Sequence, residues 1–342
     1  MHGSIHSFER LPMVDVRRGT GRGKGAPSVP APPLIGLIRN RRSHLNEKAA
    51  PAAAVPDGVI ATSPRRREEI PGILADFARQ RVDCIAIDGG DGTVRDVLTC
   101  GAGVFGDSWP ALIILPNGKT NALAHDLGIP AGWTLDDAAK ALRAGQIARR
   151  RPLVISQRDN AKAQVRGFII GAGAFNRAIA LGQRSHDLGA FNAAVVGVTA
   201  VWSVVQALLG SARNGWRRGT RMRLRDEDGS EVPHFGGLPS DERYLLLAST
   251  LESFPAGIQP FRRIESDMGV AVLDNARRGL MLRIGALMRG TASAATLRRG
   301  AHIFGGDRFE ADLGEPFILD GEAFPAGHYR IETGARLRFV VP

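Results

Sequence analysis

What the chain has little of narrows its class before any motif is read. It has two cysteines, Cys84 and Cys100, both in apolar surroundings. A disulfide framework is therefore excluded as a source of stability, and both thiols read as small core residues of a reducing compartment. Aromatic rings are scarce, at 6% of residues; none falls in an RNP-like pattern, and no Cys/His spacing suits a zinc finger. Those absences exclude the common nucleic-acid modules. The amino terminus lacks the apolar segment of a secretory leader, so the expectation is a cytoplasmic protein. Negative charge is in deficit: 45 Lys and Arg against 34 Asp and Glu leave a net +11. That sign calls for phosphorylated ligands or an anionic membrane surface.

Long apolar runs are also rare. Residues Leu188 to Ala212 are nearly continuously apolar and carry no charge, a length that fits a membrane span. Asn192, Gly197, Thr199, Ser203 and Gln206 interrupt it, so the favoured reading is a helix, broken in places, that packs on its own domain and lines an apolar cleft. Arg213, Trp216, Arg217 and Arg218 follow at once, a combination suited to a headgroup interface.

What is present describes two domains behind an arm. Residues 1–33 are rich in Gly, Pro and Arg without hydrophobic periodicity and read as a disordered basic arm. Residues 34–148 alternate apolar runs (34–39, 59–61, 82–87, 111–115) with helical spacing at 65–79, after Thr93 and at 135–142, the pattern of an α/β domain. From 149 to 342 the runs become short and are separated by Gly, Asp and Pro turns, as in an antiparallel sandwich or barrel. The helical insertion at about 188–212 lies within it, and 336–341 reads as its last strand.

The organising stretch is Ile85 to Thr93, an apolar strand that enters a turn containing Gly89, Gly90 and Gly92 around Asp91. Those glycines are expected to take positive φ and to let backbone N–H groups approach a phosphate chain at a helix start. Asp91 would repel phosphate unless a metal or a substrate hydroxyl lay between. A second loop, Pro116-Asn117-Gly118-Lys119-Thr120-Asn121, follows the next strand. Two such loops on neighbouring parallel strands should face one crevice.

Gly89-Gly90-Asp91-Gly92-Thr93 resembles the signature shared by diacylglycerol, sphingosine and ceramide kinases, NAD kinases and, more distantly, phosphofructokinases. With the second loop and Asp320-Gly321-Glu322, the resemblance is to the diacylglycerol kinase catalytic-domain family and covers most of 34–342. It implies an N-terminal three-layer, NAD kinase-like α/β lobe that binds ATP and Mg²⁺, and a C-terminal β-sandwich lobe with inserted helices for the lipid. Asn40 and Ser43 match part of the family's Asn-Pro-x-Ser-Gly turn, where Arg41 replaces the proline. Thr62 falls where the family has a hydroxyl near the nucleotide, with a helix N-cap as the alternative. Gly118, Lys119, Thr120 and Asn121 match the second glycine loop, with Lys119 in the usual Thr position and Ala122 in that of an Asp.

The resemblance also implies a structural Mg²⁺ held by the Asp267 carboxylate with backbone at Ile264 and Gly269; a simple turn carboxylate is the alternative, and Met268 replaces the family's glycine. Asp91, Asp320 and Glu322 are the candidate catalytic residues, with Glu322 favoured as proton acceptor and Asp320 as its support. The function implied is an ATP-dependent lipid kinase that phosphorylates a hydroxyl of diacylglycerol or of a sphingoid or ceramide-type lipid. Such an enzyme would work peripherally at an anionic membrane surface, without nucleic acid, as a monomer or a homodimer. Two alternatives stay open. One is an NAD kinase-like small-molecule kinase, against which stands the lack of that family's Asn-Glu pair and Gly-Ser-Thr-Ala-Tyr element. The other is a nucleotide-binding regulatory protein without catalysis, suggested by Arg41, Arg42 and Lys119.

Overall fold

Runs of branched apolar residues with no polar interruption can only be satisfied with cover on both faces, which is what a parallel sheet between helices provides. A computed structural model describes residues 33–48, 56–179 and 217–342, and these fall into two units. In the α/β unit the strands β1 (Ile35–Arg39), β2 (Val59–Thr62), β3 (Cys84–Gly89) and β4 (Ala111–Pro116) run parallel in the order β2-β1-β3-β4. Every residue of β3 and β4 is buried.

Alternate residues of β1 face opposite ways, as a strand requires. Gly36 faces helix α1 (Ile70–Gln80), where the Phe77 ring fills the space a β-carbon would take. Ile35 and Leu37 face the other way, into a cluster with Ala138, Ala141 and Leu142 of a helix that begins after the Thr134 and Asp137 capping box. Helix α2 (Asp91–Phe105) starts directly from the turn after β3 and buries Val94, Val97 and Leu98.

The chain returns to this unit at its end, which the sequence did not indicate. Leu337–Val340, expected as the last strand of the second domain, inserts between β4 and the strand Ile147–Arg150, parallel to the first and antiparallel to the second. Leu337, Phe339 and Val340 are buried there. A four-residue apolar strand fits many sheets, and nothing local in its sequence names its neighbour. Lys162–Gly167 also falls in this unit, where the Arg166 N–H donates to Thr99 Oγ1 at 2.9 Å.

The β-rich unit is built from two sheets. One is ordered Ala301–Gly305, Gly269–Leu273, Leu245–Ser249, Ile169–Gly173, Phe317–Leu319, Glu322–Phe324, with antiparallel ladders throughout. In the other, Thr220–Arg225 alternates buried with outward residues and pairs antiparallel with Arg308–Leu313, which in turn pairs with Gly327–Thr333. The sheets meet through rings: Phe317 stacks on Phe324 and meets Tyr329 of the other sheet edge-on at 5.0 Å. Three short helices, Arg278–Met281, Ile284–Met288 and Ala294–Leu297, had no clear sequence signal. The expected arm and the apolar insertion at 188–212 lie outside the described residues. Among those described, no helix is long and apolar enough to cross a membrane.

Removing the Phe339 ring opens a cavity between two sheet neighbours. Phe339→Ala should cost about 3–5 kcal/mol, read as an earlier urea midpoint in the fluorescence of Trp109 and Trp133. An unchanged midpoint would show the returning strand to be dispensable.

Candidate nucleotide site and catalytic turn

A charge in an otherwise apolar buried strand must find partners, and Asp88, the fifth residue of β3, finds three. Its carboxylate accepts from Arg39 Nε at 2.6 Å, from Asn46 Nδ2 at 2.7 Å and from Asn117 Nδ2 at 2.6 Å. Its carbonyl accepts from the Asn40 N–H at 2.9 Å. Asp88 thus joins the loops after β1 and β4 to the turn after β3. Ser43 adds to this, because its buried hydroxyl donates to the Asn117 carbonyl at 2.6 Å. Asn40 Nδ2 donates to Thr93 Oγ1 at 2.9 Å, and Asn40 Oδ1 accepts from the Arg42 N–H.

The glycines of the central turn serve close approach rather than left-handed backbone. Gly89, Gly90 and Gly92 are not among the positive-φ residues, and Gly90 is extended at φ −100°. A β-carbon on Gly90 would lie 2.9 Å from the Gly118 Cα, and one on Gly118 would come closer still to Gly90. One on Gly89 would strike the Thr93 side chain, whereas one on Gly92 would meet the Arg95 guanidinium only at ordinary contact distance, 3.7 Å. The two glycine loops are therefore pressed backbone to backbone. Left-handed backbone occurs instead at Asn121, φ 50°. Its side chain accepts from the Gly118 N–H and donates to the carbonyls of Pro116 and Gly118.

Asp91 faces protein amides. Its carboxylate accepts from the N–H groups of Ala122 at 3.0 Å and Leu123 at 3.3 Å, the start of the short helix α3 (Ala122–Asp126). Burial pushes its pKa up, and the amides of Ala122, Leu123 and Asn121 pull it down. Asp91 thus ties the first glycine loop to the second. Lys119 and Thr120, within the second loop, are exposed. Thr62 is no N-cap: the helical segment begins at Arg67, and Thr62 Oγ1 donates back to the Leu37 carbonyl at 3.1 Å.

Beside this assembly lies a cavity of about 560 Å³ lined by Asn40, Thr93, Ile38, Ile70 and five arginines, Arg41, Arg42, Arg65, Arg66 and Arg67. Among its described lining residues Asp96 is the one carboxylate; it pairs with Arg67 at 3.0 Å and Arg95 at 3.2 Å. Five guanidinium groups against one carboxylate suit a phosphate-rich ligand. Sequence reasoning marked Arg41 and Arg42 but missed Arg65, Arg66 and Arg67, whose run before a helix start was the available signal. It missed Asp88 as well, although a carboxylate ending an apolar strand was visible.

In the β-rich unit, Asp320-Gly321 is the two-residue turn joining Phe317–Leu319 to Glu322–Phe324, with φ of 48° and 82°. Both central residues at positive φ are the condition of a type I′ hairpin. Asp320 and Glu322 therefore do not share a strand face. The Asp320 carboxylate accepts from the N–H groups of Phe168 at 3.1 Å and Ile169 at 2.9 Å, and Glu322, partly exposed, opens the next strand.

The residues expected to hold a structural Mg²⁺ are Ile264, Asp267 and Gly269. Asp267 is exposed, and Gly269 is a strand residue whose missing β-carbon makes room for the Phe261 ring. Among the described residues no three His, Cys, Asp or Glu side chains converge as ligands; a Mg²⁺ here would rely on the one carboxylate, backbone carbonyls and water.

Residues 40–152 match the diacylglycerol kinase catalytic domain, the stretch that holds both glycine loops and the arginine-lined cavity. Two structures of a proposed diacylglycerol kinase from Bacillus anthracis str. Sterne share the fold: each aligns with a TM-score of 0.58 at 17% identity, covering 90% of this chain and 96% or 97% of the other. A third, of a diacylglycerol kinase from the same organism, aligns at 0.57 and 16% identity over 90% of this chain and 96% of that one. No curated protein matches the chain by sequence.

The contact between the glycine loops gives a direct test. Gly118→Ala should weaken ATP binding at least tenfold, because a methyl group forces the loops apart; the matched control Gly92→Ala has room for its β-carbon. Equal ATP affinity in Gly118→Ala and wild type would show that the loop contact does not shape the site.

Proposed function

We propose that the chain is an ATP-dependent lipid kinase that transfers the γ-phosphoryl group to a hydroxyl of a lipid such as diacylglycerol or a sphingoid or ceramide-type lipid. The observation that carries this reading is the five-arginine cavity beside Asn40 and Thr93, inside the segment that matches the catalytic domain. Guanidinium groups bind phosphate oxygens in pairs and spread the charge that develops as the bridging oxygen of ATP departs. The amino end of α2, reached through glycines, adds backbone N–H groups and a partial positive charge. In this reading the nucleotide brings its own Mg²⁺, coordinated by phosphate and water.

The proton of the lipid hydroxyl goes to a carboxylate as its oxygen bonds to the γ-phosphorus and the β–γ bridging oxygen leaves with ADP. Glu322 is the better acceptor. Both oxygens of Asp320 already receive backbone N–H groups, which gives that carboxylate a role in fixing the turn. The acceptor being a lipid, the enzyme would act as a peripheral protein at an anionic bilayer.

The test is transfer of labelled γ-phosphate from ATP to a panel of lipid hydroxyls. Wild type should label at least one lipid, and Glu322→Gln should lower kcat by roughly 10²–10⁴ with KM for ATP near wild type. Normal kcat in Glu322→Gln beside an inactive, fully folded Asp320→Asn would move the base to Asp320. Failure to label any lipid while ATP is bound would contradict the reading.

A further inference from the structure

Positive charge of one sign collects on a second surface, in the β-rich unit. From Asn275 to Gly306 the sequence has six arginines and no aspartate or glutamate, and all six, Arg277, Arg278, Arg283, Arg289, Arg298 and Arg299, are exposed. The short helices that carry them are fastened from beneath: Leu280, Met281 and Leu287 are buried in one cluster with Tyr244, Leu273 and Ala301. Leu282 departs from that pattern. It follows two core residues directly, yet it is 71% exposed.

The neighbouring chain completes the surface. Phe235, 47% exposed, stacks on the His302 ring at 4.8 Å. Arg277 lies against Gly236 and Gly237, next to Phe235. Arg283 Nη1 donates to the Gly279 carbonyl at 2.7 Å, and Arg299 stands over the same glycine. Two large apolar side chains are therefore exposed among these arginines, Leu282 next to Arg283 in sequence and Phe235 beside the Arg277 contact.

We propose that this face docks the protein on an anionic lipid bilayer, with the arginines at the phosphate headgroups and Leu282 and Phe235 in the interface. Charge complementarity selects an anionic partner, and the exposed leucine selects one with an apolar interior within reach of its surface. A nucleic acid would satisfy the arginines but offers Leu282 nothing. The proposal shares with the lipid-kinase reading only the expectation of a bilayer, and binding measured without nucleotide lets either fail alone.

The experiment is co-sedimentation of the full chain with vesicles of phosphatidylcholine, with and without phosphatidylglycerol, at low and high salt. Wild type should partition onto the anionic vesicles and lose binding as salt rises. Each well-placed basic residue is worth roughly fivefold in partitioning, so Arg277→Ala, Arg278→Ala and Arg283→Ala together should weaken it by roughly 10²-fold. Leu282→Ser, a change at an exposed position with an unchanged Tm expected, should weaken it by roughly tenfold. Equal binding to neutral and anionic vesicles would overturn the proposal, as would wild-type partitioning in both variants. Loss of heparin or duplex DNA binding in the arginine variant, with Leu282→Ser indistinguishable from wild type on vesicles, would reassign the face to a polyanion.

Discussion

The buried carboxylate of Asp88 is the constraint on which the candidate site depends. A carboxylate at the end of a parallel strand, away from solvent, is tolerated only when its oxygens are fully used. Asp88 meets that condition by drawing Arg39, Asn46 and Asn117 onto one point. Losing such a centre, with an arginine and two amides left unpaired, costs on the order of 3–5 kcal/mol. The loops after β1, β3 and β4 are therefore parts of one hydrogen-bonded body. Asp91 extends that body to α3, and Asn121 holds the second glycine loop in shape.

That arrangement explains which parts of the site could be read from the sequence. Gly89-Gly90-Asp91-Gly92-Thr93 was legible as a strand-to-helix turn because periodicity changes across it, but α2 begins at Asp91, within the stretch read as the turn. The reason for the glycines was not legible. A glycine needed for positive φ and one needed for contact with another backbone look the same in a single sequence, and only the position of Gly118 distinguishes them. Asp88 was visible as a residue, but its partners are 29 to 49 positions away. The returning strand was hidden for a similar reason, since Leu337–Val340 gives a strand pattern without naming its sheet. Asp320-Gly321 is the turn that Asp-Gly commonly signals, with Asp320 in the turn and Glu322 on the following strand.

The surplus of positive charge has a distribution that composition could not give. On one sheet of the β-rich unit the carboxylates are paired: Asp312 receives Arg158, Arg225 and His328, and Glu310 receives Arg158 and Arg330. Against the effect of its burial, His328, Arg158 and Arg225 hold the Asp312 pKa down. Asp274, fully buried, is bound by Arg243 and His302. Among the described residues, arginines gather in two other places, the cavity lined by Arg41, Arg42, Arg65, Arg66 and Arg67 and the face from Arg277 to Arg299. A lipid kinase, as proposed above, would need attraction for both a nucleotide and a membrane.

The central claim is that Asp88 holds the loops in the geometry that lets the arginine-lined cavity bind a nucleoside triphosphate. Calorimetric titration of ATP into wild type, Asp88→Asn and Asp88→Ala, each with a parallel urea melt, tests it most directly. Asparagine retains the size but cannot accept from both Asn46 and Asn117 on one oxygen while also accepting from Arg39 on the other, because the second atom becomes a donor. Both variants should keep a cooperative melt and lose ATP affinity by at least roughly tenfold, the equivalent of about 1.4 kcal/mol. Wild-type ATP affinity in a folded Asp88→Ala protein would contradict it.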